Sequence, residues 1–317
     1  MKQALITGVR GFAGSWLAAE LLNHNYQVQG IDISSAPVQN KAAARTLDDP
    51  AELAQIPVHA SRLDDIMAVE DLLAGVQGGT IFHLAGTAFV PDTWHSPLQT
   101  LENNALVTVR LLEAARNTGW QGNFVFASSS DVYGNPDRQA MPLTEESPLL
   151  PESPYARTKL VSEQFLPFYC SDSLQTMIAR PFNHSGPGQR DVFVIPAFIK
   201  RVREAIIDRH SSIVVGDLNA TRDFSDVRDV ARAYRIIAEQ GESGEIYNIC
   251  SGHQTSIKEL IDTVQAVACS QLELQVDPEL LRPEGSSQRF GDSTRLQKLG
   301  WAPQYTLRDT IEALWDD

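Results

Sequence analysis

Short apolar runs alternate with longer stretches whose apolar positions recur at helical spacing. Residues 4–6, 28–31, 80–84, 124–127 and 177–179 are predicted strands, each apolar along most of its length rather than at every second position. Strands of that kind are covered on both faces, as in parallel sheets. Between them the pattern predicts helices over 15–23, 105–116 and 155–168. The fold class read from this alternation is α/β, a doubly wound parallel sheet.

Beyond Arg180 the texture changes. Residues 181–189 are dense in turn formers and predict no regular element. A helix is predicted from Asp226, with Val227, Val230, Ala231, Tyr234 and Ile237 on its apolar face, stopping before Gly241. Residues 246–249 read as a strand returning to the sheet, and Ser256 with Glu259 as a capping box ahead of Leu260, Ile261 and Val264. The expected organisation is a larger sheet domain over 1–182, rejoined by about 226–250, with a second, smaller lobe from 183–225 and 251–317.

Composition narrows the partners. The chain has 317 residues, 43% hydrophobic and 21% charged, with a formal net charge of −14. That balance offers no basic footprint for duplex nucleic acid or an anionic membrane, and no apolar run approaches a membrane span. Its three cysteines are widely spaced and suggest neither a disulfide framework nor a metal site. Met1-Lys2-Gln3 runs directly into a strand without a signal peptide, so the expectation is a cytoplasmic protein.

Candidate chemistry begins at Thr7-Gly8-Val9-Arg10-Gly11-Phe12-Ala13-Gly14, between the first strand and the first helix. Gly8, Gly11 and Gly14 sit three apart, a pattern that allows a tight turn and lets backbone approach a pyrophosphate at a helix N-terminus. Asp32, eighteen residues past Gly14, is suited to accept both hydroxyls of an adenosine ribose. Asp32 favours NAD(H) because it repels a 2′-phosphate, whereas Arg10 would grip one. The reading is NAD(H) or NADP(H), with Asp32 tilting it toward NAD(H). Phe12, Leu63 with Asp64, Leu84-Ala85-Gly86, Asn104 and Lys159 complete the predicted cofactor set, Asp64 as an acceptor for the adenine amino group.

Ser153 and Pro154 write a helix start, as N-cap and first residue. Tyr155 and Lys159 then share one face of that helix. The expectation is that the ammonium stabilises the phenolate and lowers the tyrosine's pKa into a range useful for acid–base work. Ser128-Ser129-Ser130 leaves a strand at its carboxyl end, where ligands bind in such sheets.

Glycine turn, strand-end serine and capped Tyr-Lys helix, in that order, resemble the extended short-chain dehydrogenase/reductase family over nearly the whole chain, as far as Leu299-Gly300-Trp301-Ala302-Pro303. The resemblance implies a Rossmann domain with Ser129, Tyr155 and Lys159 as catalytic residues. Asn104 matches the asparagine that shapes the active-site helix, and Val107 stands where the family more often has glycine. The segments 180–189 and 221–227 and Leu281-Arg282-Pro283-Glu284 resemble the branch acting on GDP-linked deoxyhexoses, and His83 to Gly86 with Val90 and Trp94 resemble its sugar-side wall. They imply Asp131, Asn183, Gln189, Arg222, Arg282 and Glu284 as substrate contacts, with reduction of the 4-keto group of GDP-4-dehydro-6-deoxy-D-mannose to GDP-D-rhamnose. A homodimer is implied by analogy, through the helices carrying Asn104 and Tyr155. Alternatives are a GDP-mannose 4,6-dehydratase with Asp131 as base, a 4-epimerase, and a non-catalytic dinucleotide-binding regulator.

Overall fold

The strands Lys2–Thr7 (β1), Tyr26–Asp32 (β2), Val58–Ala60 (β3), Gly79–His83 (β4), Gly122–Ala127 (β5), Leu174–Pro181 (β6) and Ile246–Ile249 (β7) form one sheet in the computed structural model. Their order is β7-β6-β5-β4-β1-β2-β3, and every pairing is parallel. Residues 2–76, 78–135, 141–280 and 288–317 are described. The chain reverses direction across the sheet between β1 and β4, so the carboxyl ends of β1, β2, β4 and β5 open onto one crevice.

The continuous apolar runs have a direct cause in the two covered faces. Ala4 and Ile6 of β1 join Phe82, Val125 and Ala179 in one core, while Leu5 joins Ile81, Phe124 and Ile178 in another. Helices Phe12–Asn23 and Val227–Gln240 cover the first face, and Ile66–Ala74 and Val107–Asn117 the second. Each fully buried aliphatic side chain contributes roughly 2 kcal/mol. A third core collects Ile195, Phe198, Val202, Leu260, Ile261, Val264 and Ile311 from helices Val194–Ile207, Ile257–Val267 and Leu307–Trp315. The C-terminal segment is tied back by Trp301, whose indole donates to the Asp229 carbonyl at 3.0 Å.

Most predicted elements appear with small shifts, and the exceptions have causes. The edge strand β3 was given no bounds from the sequence, because Val58, His59 and Ala60 are at least partly exposed and carry no alternation. Residues Asn183–Ser185, within the stretch read as irregular, pair in parallel with Phe224–Asp226. The helix expected from residue 105 begins inside a longer helical run that carries a wide turn at Glu102–Leu106. The helix expected to reach residue 168 ends at Phe165 and tightens through Leu166–Phe168, where Pro167 has no N–H to continue it. Asp226 caps its helix and the Ser256–Glu259 capping box forms.

Candidate active site

At the end of β1 the chain turns at Gly8, whose N–H donates to the Ile31 carbonyl at 2.8 Å. Gly8 adopts φ +73°, and a Cβ there would lie 3.1 Å from the Ala85 backbone. A Cβ on Gly14 would lie 2.1 Å from the Gly8 carbonyl oxygen. Turn and helix therefore pack closer than any side chain permits, leaving backbone N–H groups accessible at a helix N-terminus. Gly11 is that helix's N-cap and Phe12 its first residue, with the Phe12 ring stacked 6.0 Å from His184. These residues fit a dinucleotide.

Arg10 and Asp32, opposed in their sequence implications, meet at the end of β2. The Arg10 N–H donates to Asp32 Oδ2 at 3.1 Å, and the guanidinium lies 3.9 Å from Oδ1. The Ile33 N–H takes the other oxygen at 2.9 Å. The Arg10 Nε is buried without a hydrogen-bond partner among the described residues. Leu63 is buried in the core, while Asp64 is exposed and lies 3.4 Å from Arg62.

Leu84 and Ala85 leave β4 against β1, the Leu84 N–H donating to the Thr7 carbonyl at 3.3 Å and the Ala85 N–H to Thr7 Oγ1 at 3.1 Å. Gly86 lies under Asn104, whose side-chain oxygen would sit 2.8 Å from a Cβ there. The Asn104 amide accepts from the Thr87 N–H at 2.7 Å and donates to the Thr87 carbonyl at 3.2 Å and Thr158 Oγ1 at 3.1 Å. It clamps the loop after β4 to the Tyr155 helix. Val107 is buried in the second-face core, which accounts for a side chain where the family more often has glycine.

The Tyr155 helix runs Pro154–Phe165 and is capped as the sequence predicts, Ser153 accepting from the Ala156 N–H at 3.1 Å. Lys159 is buried, its Nζ donating to the Ala127 carbonyl at 2.7 Å and lying 5.9 Å from the Tyr155 ring centre. Ser129 accepts from the Asp131 N–H at 3.1 Å and also hydrogen-bonds the Tyr155 hydroxyl. The electrostatics depart from expectation in one respect. Burial, reinforced by the Asp131 carboxylate, pushes the Tyr155 hydroxyl above its ordinary value, and the Ser129 bond only moderates this. The shift falls instead on the lysine: burial drives Lys159 down to about 8 against the pull of Glu163.

Behind the site lies a buried ion pair. Arg180 Nε and Nη2 grip the two Glu163 oxygens at 2.9 and 2.6 Å, and Ser128 Oγ donates to the same carboxylate at 2.5 Å. Arg180 also donates to the Tyr133 hydroxyl at 3.0 Å, which donates to Asn248 at 2.7 Å. The strand end carrying Ser129 is thereby locked to the Tyr155 helix and to β7.

Asp131 pairs with Arg289, whose side chain is only 14% exposed. Asn183 and Arg222 line a cavity of about 270 Å³ with Asp217 and Leu280. Gln189 is not among its lining residues; it accepts from Ser185 Oγ at 2.5 Å and donates to the His184 carbonyl at 3.1 Å, closing its own loop. Trp94 is 60% exposed. Arg282 and Glu284 lie outside the described residues.

Arg289, the Glu163–Arg180 pair and the partners of His83 were not singled out from sequence. Arg289 lies 158 residues from Asp131, and no local pattern announces such a pairing.

The GDP-mannose 4,6-dehydratase family model matches residues 5–314. The GDP-6-deoxy-D-mannose reductase of Pseudomonas aeruginosa is 35% identical over 100% of this chain and 97% of its own length. A GDP-mannose 4,6-dehydratase of Yersinia enterocolitica is 27% identical over 98% of this chain and 91% of its own. Among solved structures, RMD from Pseudomonas aeruginosa complexed with NADPH superposes with TM-score 0.84 at 32% identity, covering 100% of this chain and 98% of that one. The Thermus thermophilus UDP-glucose 4-epimerase complexed with NAD gives TM-score 0.82 at 25% identity, covering 99% and 98%. The chain belongs to the GDP-mannose 4,6-dehydratase family, in the nucleotide-sugar branch of the extended short-chain dehydrogenases/reductases.

Proposed function

We propose that this enzyme reduces the 4-keto group of GDP-4-dehydro-6-deoxy-D-mannose to give GDP-D-rhamnose. Support comes from the likeness to the Pseudomonas reductase along the whole chain. The observation that carries it is local: Asp131, the carboxylate beside Tyr155 that the dehydratase reading would use as base, stands alone there and is held by Arg289. Water elimination needs a base for the sugar's C5 proton and an acid for its C6 hydroxyl beyond the hydride machinery, and here only the single short carboxylate of Asp131 follows Ser129 and Ser130.

A reduced nicotinamide, when bound, supplies the hydride. The chain's residues do the rest. Gly8, Gly11 and Gly14 hold the pyrophosphate, and Asp32 with Arg10 meets the adenosine ribose. Ser129 polarises the C4 carbonyl, and the Tyr155 hydroxyl gives its proton to the oxygen as negative charge develops there. Lys159 holds the nicotinamide ribose, while Asn183, Arg222 and Asp131 contact the nucleotide sugar. Because Arg10 offsets Asp32, both reduced cofactors serve, Asp32 tilting the preference toward NADH.

The enzyme is read as a cytoplasmic homodimer. Its three cysteines are free, and Leu101, Leu106 and Phe165 expose apolar surface on the helices carrying Asn104 and Tyr155, with Phe168 in the turn that follows the latter. Supplying the keto sugar with NADH or NADPH and following loss of reduced-nicotinamide absorbance tests the reaction. Consumption of GDP-mannose alone, without net cofactor oxidation, would make it a dehydratase.

A further inference from the structure

His83 ends β4 directly opposite Thr7 of β1, fully buried, and no step of the proposed reaction uses it. Its bonds have one consistent direction. Thr7 Oγ1 accepts from the Ala85 N–H at 3.1 Å and lies 2.7 Å from His83 Nδ1. Across the ring, His83 Nε2 lies 3.0 Å from Thr108 Oγ1, which donates to the Asn104 carbonyl at 2.7 Å and so must accept from the imidazole. The tautomer is therefore Nε2–H. From Asn104 the side-chain amide donates to Thr158 Oγ1 at 3.1 Å, and Thr158 donates to the Tyr155 carbonyl at 2.8 Å. Thr7, His83, Asn104, Thr108 and Thr158 are all buried. Burial and the nearby Lys159 push the imidazole down to about 3, so it is neutral throughout the range in which enzymes work.

We propose that His83 is a positioning residue: its neutral ring joins the loop at the dinucleotide turn to the wide turn at Asn104 and, through it, fixes where the Tyr155 helix stands. This rests on the reading of Tyr155 as proton donor. Such a chain is directional, because every hydroxyl in it is both donor and acceptor, and a ring of the wrong tautomer or an apolar substitute breaks it at its centre. Loss of the ring should then disturb alignment of the hydroxyl with the sugar ketone more than it disturbs binding of either ligand.

The test compares His83→Leu with His83→Gln, whose amide oxygen and nitrogen stand in for acceptor and donor. His83→Leu is expected to lower kcat by about ten- to hundredfold while the keto-sugar KM and the dinucleotide Kd move by no more than about twofold. His83→Gln is expected to recover most of kcat. Hydrogen–deuterium exchange over 103–108 and 154–158 should quicken in His83→Leu and return toward wild type in His83→Gln. A His83→Leu enzyme with wild-type kcat and exchange overturns the proposal, as does a His83→Gln enzyme no better than His83→Leu. If His83→Leu does not fold, Thr108→Val cuts the same chain one link further on; wild-type kcat in that variant overturns the proposal, and the expected loss supports it. A wild-type enzyme that leaves the keto sugar unreduced defeats the proposed reaction instead, and the exchange data alone then decide the role of His83.

Discussion

Asp32 accepts the backbone N–H of Arg10 at 3.1 Å, and the Arg10 guanidinium sits 3.9 Å from the same carboxylate. An acid that repels a 2′-phosphate and a base that attracts one are thus held as a unit. Arg10→Ala leaves the carboxylate without its counter-charge and removes the only one of the two that can pair with a phosphate. The expected result is a rise in KM for NADPH of about tenfold, with the NADH value nearly unchanged, since a charge-assisted bond is worth roughly 1.5–3 kcal/mol. Equal losses for both cofactors would show that Arg10 supports the turn rather than the phosphate.

Tyr155→Phe keeps the ring and removes the proton. Turnover should fall by about two to four orders of magnitude, the usual worth of a positioned general acid. Dinucleotide binding, followed by quenching of protein fluorescence, should persist. Retained turnover would take Tyr155 out of the proton-donating role.

Lys159 gives the reaction a pH limit. Burial brings its folded value down to about 8 from an ordinary 10.5. The ammonium is the form that holds a ribose, so kcat/KM should decline as pH rises through about 8. Stability runs the opposite way: between about 8 and 10.5 the unfolded chain retains a proton that the folded chain has released, so stability gains with pH across that window. Urea denaturation and initial rates on the same buffer series check both signs.

The Glu163–Arg180 pair is nearly inaccessible, with side chains 5% and 2% exposed. Removing one partner leaves the other charge buried, so Arg180→Met alone should cost about 3–5 kcal/mol of stability. Arg180→Met combined with Glu163→Leu should cost less than the single change, because no orphan charge is left. Denaturant midpoints read this, and a double variant worse than the single one would refute it.

The alternation of strands and helices, the glycine turn, the Ser153 cap and the Tyr155–Lys159 spacing were all legible along the chain. Each is set by contacts a few residues apart or by an apolar period that any folding chain must bury. The bounds of the short strand β3 were not legible, because its side chains are partly exposed and its pairing with β2 is decided by the sheet rather than by its own residues. Nor was the sense of the Tyr155 shift, since a sequence shows the neighbouring amine and not the depth to which both are buried.

What the sequence determined by itself is therefore the fold class, the family and the local constellation that points to hydride chemistry. Tertiary structure alone decided that Arg289 meets Asp131, that Arg180 meets Glu163, that Gln189 closes its own loop, and that His83 joins Thr7 to Thr108. The reason is physical. Periodicity and capping are written in neighbours, whereas partner choice among distant charges and hydroxyls follows from which strand ends and helix faces the fold brings into one crevice, and that depends on the whole chain at once.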